Sequence, residues 1–210
     1  MRDLGQSTET ATSVPLPLPS LSGSVSLEAA VYSRRSRRDF AEKALTLAQA
    51  GQILWATQGI TEPRQGRRAA PSAGARYPLE LTLAAGRVDG LVPGLYHYQP
   101  ADHTLETVRL GDARLALARS AADQIWMADA ALILVVSAVF ERTTARYGTR
   151  GRRYVHFDAG LAVENACLQV AALGLAAVVV GAFDDPAVAD LLALSGEEEP
   201  LLLLPVGWPV

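Results

Sequence analysis

The chain is poor in the residues that staple or metallate a protein. It has one cysteine, Cys167, which excludes an internal disulfide and any multi-cysteine metal site. Its three histidines, His97, His103 and His156, are dispersed and offer no metal spacing, so no metal is expected. Lysine is nearly absent. Lys43 stands alone, and the remaining basic charge is arginine, whose planar fork suits multidentate anions such as phosphates. No apolar run is long enough to span a bilayer, and the N-terminus lacks the basic-then-apolar pattern of a secretory signal. A cytoplasmic chain with no membrane partner is expected. A net charge of −3 gives no general reason to bind nucleic acid. There is no internal repeat and no Rossmann glycine fingerprint.

What is present is a core. Half of the 210 residues are hydrophobic and 20% are charged, which argues against global disorder and fits one domain. Residues 1–25, rich in Ser, Thr and Pro, read as a disordered tip and an extended arm, and residues 26–210 as a single domain. Ser26 caps a short helix through Ser33. Thr46 and Gln49 form a capping box for a helix that stops at Gly59. After a Gly/Pro/Arg-rich loop (60–78), alternation from Leu79 to Ala85 predicts a half-buried strand. Residues 94–110 read as a hairpin turning at Pro100–His103. Further expected elements are a helix over 112–123, buried strands over 131–139 and 176–183, a long helix over about 156–173, a helix capped by Asp185 with Pro186 starting it, and a last strand over 201–209. Helices around a largely antiparallel sheet make an α+β fold.

Three segments carry chemistry. RRSRRDF (34–40) puts four arginines around one serine, and their mutual repulsion calls for an anion or for solvent. Arg34, Arg35 and Ser36 can hold a phosphate by charge-assisted hydrogen bonds; the same motif taken alone also fits a solvated basic turn or a nucleic-acid patch. PSAGARYPLE (71–80) has small residues that admit close backbone approach to a flat ligand, and it also fits an ordinary strand entry. VVVGAFDDP (178–186) ends a strand where free backbone N–H groups commonly meet ligands, and it also fits a plain strand–turn–helix connection.

In this order and spacing the segments resemble the nitroreductase superfamily, specifically its SagB-type dehydrogenase branch, which includes azoline oxidases. The resemblance runs from about Pro15 to the C-terminus and includes LTLAQAGQILWATQGIT (45–61), RRYVHFDAGLAVENACLQVAALGLAAVVVGAFDD (152–185) and VGWP (206–209). It implies a nitroreductase-like fold forming an interlocked homodimer with FMN at the subunit interface. It further implies that Arg34, Arg35 and Ser36 bind phosphate and ribityl, and that Arg38 lies at the pyrimidine edge of the ring, where a guanidinium stabilises charge gained on reduction. Pro71, Ser72, Ala73 and Gly74 would come from the other subunit. Gly181 and Ala182 would present a strand end to the reactive ring nitrogen.

The chain departs from the pattern in places. Ala75 stands where many nitroreductases have asparagine. No basic tail follows Trp208, which leaves the phosphate to other cations such as Arg150, Arg152 or Arg153. Arg146-Tyr147 stands where azoline oxidases have Lys-Tyr. An arginine stays protonated and is a poor general base, which leaves Tyr147 as the candidate catalytic residue or as an exposed helical tyrosine. Cys167 reads as core packing, Trp55 and Trp126 as core or interface anchors, and Asn165 as a backbone partner either near the flavin or in the core.

The implied activity is an FMN-dependent oxidoreductase. It would pass electrons by a ping-pong mechanism from NAD(P)H or an organic donor to a small-molecule acceptor. The alternatives are a dehydrogenase oxidising a peptide or peptide-like metabolite with oxygen as acceptor, and a catalytically silent flavin-binding protein.

Overall fold

The computed structural model describes residues 13–210, so the tip expected at the extreme N-terminus lies outside the described residues. The arm enters as β1 (Ser13–Pro15), pairing with β7 (Thr104–Leu110) at the sheet edge, where a proline costs no ladder bond. Leu16 is buried beside it, and His103 fixes the following residue through Nε2 to the Pro17 carbonyl at 3.0 Å. Helices α1 (Leu27–Ser33) and α2 (Leu47–Gln58) start at Ser26 and at the Thr46–Gln49 capping box, as their sequences predict.

The main sheet has eight strands. Its central path runs β1, β7, β6 (Gly94–Gln99), β5 (Leu79–Ala85), β8 (Leu132–Val139), β10 (Glu198–Pro209), β2 (Phe40–Ala41), and β9 (Ala176–Ala177) pairs with β10. Every ladder is antiparallel. One face packs on α2 and the long α5 (Arg150–Ala172), with Ile53, Leu54, Ala162 and Val163 against Leu81, Leu83, Leu134 and Leu204. The other face packs Leu117 of α3 (Arg114–Ser120) and Val188 and Leu192 of α6 (Asp185–Leu192) against Ala84, Leu95, Ile133, Val135 and Leu203. The molecule is an α+β fold with a mostly antiparallel central sheet, as expected.

Four local expectations are corrected. The strand over 79–85 is covered on both faces, because the second helical layer buries Thr82 and Ala84. The loop at 60–78 contains a small hairpin, β3 (Ile60–Glu62) with β4 (Arg67–Arg68), and a short helical turn at Ala73–Ala75. The stretch 176–183 pairs only at β9 and at one bridge, Val180 to Leu203, leaving Val179 42% exposed. The cap of α6 is Asp184, whose Oδ1 accepts from the Ala187 N–H at 2.8 Å, with Asp185 one residue inside the helix.

Candidate functional site

Helix α1 stops at Arg34, and the chain then runs extended beside β9. The Arg37 N–H donates to the Ala177 carbonyl at 3.0 Å, and Ser36 bridges Ala177. This seam opens a cavity of about 200 Å³ between the extended segment, the C-terminal half of α5 and Val178–Val179. Arg34, Arg35, Ser36 and Arg37 line it, and the only carboxylate in the lining is Glu164. Arg34 Nε lies 3.6 Å from that carboxylate, a loose pair, while Arg35 folds back onto the carbonyls of Tyr32 and Arg34 at 2.9 and 2.7 Å. Three guanidiniums against one carboxylate leave an excess of two positive charges, which favours an anion. Cys167 also borders the cavity; burial, helped by Glu164, pushes its thiol up to about 11, so it is inert as a nucleophile.

Arg38 points elsewhere. Its guanidinium carbon lies 5.8 Å from the ring centroid of Trp126, on the short turn Ile125–Asp129. The same turn reaches the third segment, since Gln124 Nε2 donates to the Ala182 carbonyl at 3.3 Å. Gly181 and Ala182 are exposed. A Cβ built on Gly181 would meet only Leu202 Cδ2 at 3.9 Å, so nothing within the described chain requires glycine there.

Pro71, Ser72, Ala73 and Gly74 share no lining with that cavity. They sit on the N-terminal half of α5, pinned by Asp158, a residue that sequence reasoning did not single out. The Ser72 hydroxyl and the Ala73 N–H both donate to its carboxylate, at 2.7 and 3.2 Å, and Ser72 Oγ accepts from the Tyr77 N–H at 2.9 Å. Burial holds the Asp158 carboxyl above its ordinary range, and the two hydrogen bonds only partly offset this. The signal for Asp158 was a carboxylate among Val155, Ala159 and Ala162 on the apolar face of a helix. Gly74 has φ +62°, and any Cβ there would come within 2.5 Å of the Tyr147 hydroxyl. Ala75 follows in the same left-handed region at φ 52°, a conformation asparagine adopts more readily than alanine.

Tyr147 ends α4 (Glu141–Tyr147) half-buried, its ring edge-on to Tyr154 at 5.1 Å and its hydroxyl over Gly74. Asn165 donates to the Ala69 carbonyl at 3.4 Å, close to the Pro71 loop. Arg152 is committed to Glu199 by two contacts of 2.9 and 3.2 Å, whereas Arg150 and Arg153 have no carboxylate partner among the described residues. No helix among the described residues is long and apolar enough to cross a membrane.

Comparison with known proteins gives a consistent pattern. The Nitroreductase family profile matches residues 31–208. MJ1384 of Methanocaldococcus jannaschii, assigned as a nitroreductase, is 40% identical over 183 residues, spanning 87% of this chain and 91% of that protein. A crystal structure of a Ralstonia eutropha protein with the same assignment superposes with a TM-score of 0.83 at 30% identity, covering 94% of this chain and 90% of the other. The Escherichia coli microcin synthetase McbBCD complex, solved with truncated pro-MccB17 bound, contains a chain matching at TM-score 0.71 and 25% identity, over 91% of this chain and 76% of that one.

Proposed function

Because the chain belongs to the nitroreductase family, a family of oxidoreductases, we propose that it is an FMN-dependent oxidoreductase working as a homodimer. The observation that carries this reading is the cavity at Arg34–Ser36, with three guanidiniums facing one carboxylate. It is where a monophosphate dianion offsets the repulsion that the arginines otherwise suffer. When bound, the flavin supplies reversible hydride acceptance. Arg34, Arg35 and Ser36 would hold its phosphate and ribityl chain. Arg38 would lie at the pyrimidine edge, and the open backbone at Gly181–Ala182 would admit the ring's reactive side. Pro71–Gly74, held by Asp158, would close the partner subunit's site. Electrons would come from NAD(P)H or an organic donor and leave to a small-molecule acceptor at the same open face.

A second reading is oxidation of a peptide or peptide-like metabolite with oxygen as acceptor. It is favoured by the similarity to a peptide-bound microcin synthetase and by the Tyr147 hydroxyl over Gly74. In that reading the substrate gives up a proton as well as a hydride; Arg146, always protonated, is not the base that takes it, which leaves Tyr147 as the candidate residue beside it.

The test is flavin content and potential in one series. Purified protein should be yellow, releasing one FMN per subunit by mass. Arg34→Ala should raise the FMN dissociation constant about tenfold or more, since each ~1.4 kcal/mol is tenfold. It should leave the midpoint potential nearly unchanged, because phosphate is anionic in both redox states. Arg38→Ala should lower the potential by roughly 30–60 mV, because a charge-assisted hydrogen bond of about 1.5–3 kcal/mol to the reduced ring is lost and about 30 mV corresponds to ~1.4 kcal/mol. Release of FAD, or saturating FMN without binding, sinks the reading. Bleaching by NAD(P)H or by a peptide substrate under anaerobic conditions separates the two electron donors, and no bleaching by any donor marks a silent flavin binder.

A further inference from the structure

Arg38 is a cation without an anion. It makes no ion pair and no hydrogen bond among the described residues, and its only resolved partner is the Trp126 face at 5.8 Å. Such a contact attracts the guanidinium to the ring face while leaving all five N–H donors free. Other arginines also lie near rings. Arg152 over Phe140 is bonded to Glu199, and Arg68 over Tyr77 donates to Gln58. Arg146 and Arg150, over the half-buried Tyr147 and Tyr154 at 5.5 and 5.9 Å, also make no ion pair among the described residues; what sets Arg38 apart is that its ring lies on the turn whose Gln124 bonds the Ala182 carbonyl.

Trp126 is itself anchored from the core outward. Its ring stacks on Phe40 with centroids 6.4 Å apart and planes at 27°. Phe40 in turn occupies space that only glycine leaves open on the neighbouring strand, since a Cβ on Gly207 would sit 2.9 Å from Phe40 Cδ1 and 3.2 Å from the Ala131 nitrogen. The turn carrying Trp126 is held by Gln124, which donates to Ala121 at 2.9 Å and to the Ala182 carbonyl. A continuous stack therefore runs from Gly207 through Phe40 and Trp126 to Arg38, and the turn that carries Trp126 also touches Ala182.

We propose that Trp126 is a positioning residue that fixes the Arg38 guanidinium and thereby tunes the flavin bound at this site. The inference rests on the flavin reading above. Trp126 touches no reacting atom and acts through Arg38, so its loss should reproduce the redox effect of losing Arg38 without reproducing the binding effect of losing Arg34.

The experiment compares Trp126→Leu, Trp126→Phe, Arg38→Ala and the double variant Trp126→Leu/Arg38→Ala. The readouts are a dye-equilibrated reductive titration of the FMN-loaded proteins and the Arg38 Nε–H resonance of the flavin-free proteins. Trp126→Leu should shift the midpoint potential in the same direction as Arg38→Ala, by at least half as much. Trp126→Phe, which keeps an aromatic face and guards against a mere folding defect, should retain most of the wild-type value. In the Arg38→Ala background, Trp126→Leu should add nothing. The Nε–H resonance should be shifted upfield by the ring current in wild type and lose that shift in Trp126→Leu. An unshifted resonance in wild type, an unmoved potential in Trp126→Leu, or additive shifts in the double variant would overturn the proposal. A wild type with a shifted resonance that takes no FMN overturns the flavin reading and the tuning role, while the stacking itself stands.

Discussion

Asp158 shows how a buried carboxylate can serve geometry at a cost in charge. It is 4% exposed and accepts from Ser72 and Ala73, fixing a loop whose next residues, Gly74 and Ala75, are left-handed. Removing it with Asp158→Ala orphans two donors and should destabilise by about 1–3 kcal/mol. Asp158→Asn keeps an acceptor for the Ala73 N–H and can donate to Ser72 Oγ, so it should be tolerated at neutral pH. The sign of the pH dependence follows from burial. The folded carboxyl titrates above its ordinary value of 3.8, so the fold binds that proton more tightly than the unfolded chain does. Its contribution is fully present below the unfolded value and is lost as pH rises through the raised folded one. The stability of wild type relative to Asp158→Asn should therefore improve as pH falls from 7 towards 4. Urea unfolding of both at several pH values checks this, and a relative loss for wild type at acid pH would refute it. At this scale the arginine cluster was legible because unopposed like charge is visible in sequence. Asp158 and Trp126 were not, because their roles are set by what the fold brings beside them.

Elements with strong local codes were read closely, and those defined by contact were not. The capping box at Thr46–Gln49 and the Gly59 stop bound α2 as expected. Helix α4 was missed because only Thr143 within it is buried, so it carries no apolar period. It exists because Gly148, at φ +57°, turns the chain and Gly151 lets α5 approach it; a Cβ at Gly151 would lie 2.8 Å from Thr144 Cα. The valine run at 178–180 looked like a strand because β-branched residues favour one, yet it leaves the ladder where it borders the cavity. The cap of α6 slipped by one residue because Asp184 and Asp185 both suit it by type and only the hydrogen bond decides. Asp184→Ala should cost about 0.5–2 kcal/mol, the range for a lost N-cap. Asp185→Ala, losing only a charge near the helix N-terminus, should cost about 0.3–1 kcal/mol. Urea midpoints of the two variants give the order directly, and the reverse order would return the cap to Asp185.

At the scale of the whole molecule, one face is left without a partner among the described residues. Helix α1 packs on α5, and both expose large apolar side chains: Leu27, Val31 and Tyr32 on the first, Phe157 and Leu161 on the second, with Tyr32 81% and Phe157 57% exposed. Between the last two lies Gly160, in the middle of a 23-residue helix. A glycine there is worth roughly 0.5–1 kcal/mol less than alanine. Elsewhere in the chain such a glycine is explained by a close neighbour, as at Gly151 and Gly207; at Gly160 a Cβ would meet nothing within 4 Å. An apolar stripe with an unexplained glycine at its centre is what a close helix crossing leaves when its partner is removed, and an isologous contact would place the same stripe of a second copy on it. Sedimentation should find wild type as a dimer. Gly160→Trp should give a monomer that has also lost FMN if, as proposed, the loop at Pro71–Gly74 closes the cavity of a second copy. Gly160→Ala carries the sharper consequence. If the stripe faces only water, alanine should stabilise the protein by the helix-propensity difference; if a second backbone lies against it, alanine should weaken the dimer instead. A wild-type monomer holding stoichiometric flavin would refute the shared site, and a Gly160→Trp dimer with flavin intact would move the interface off this stripe.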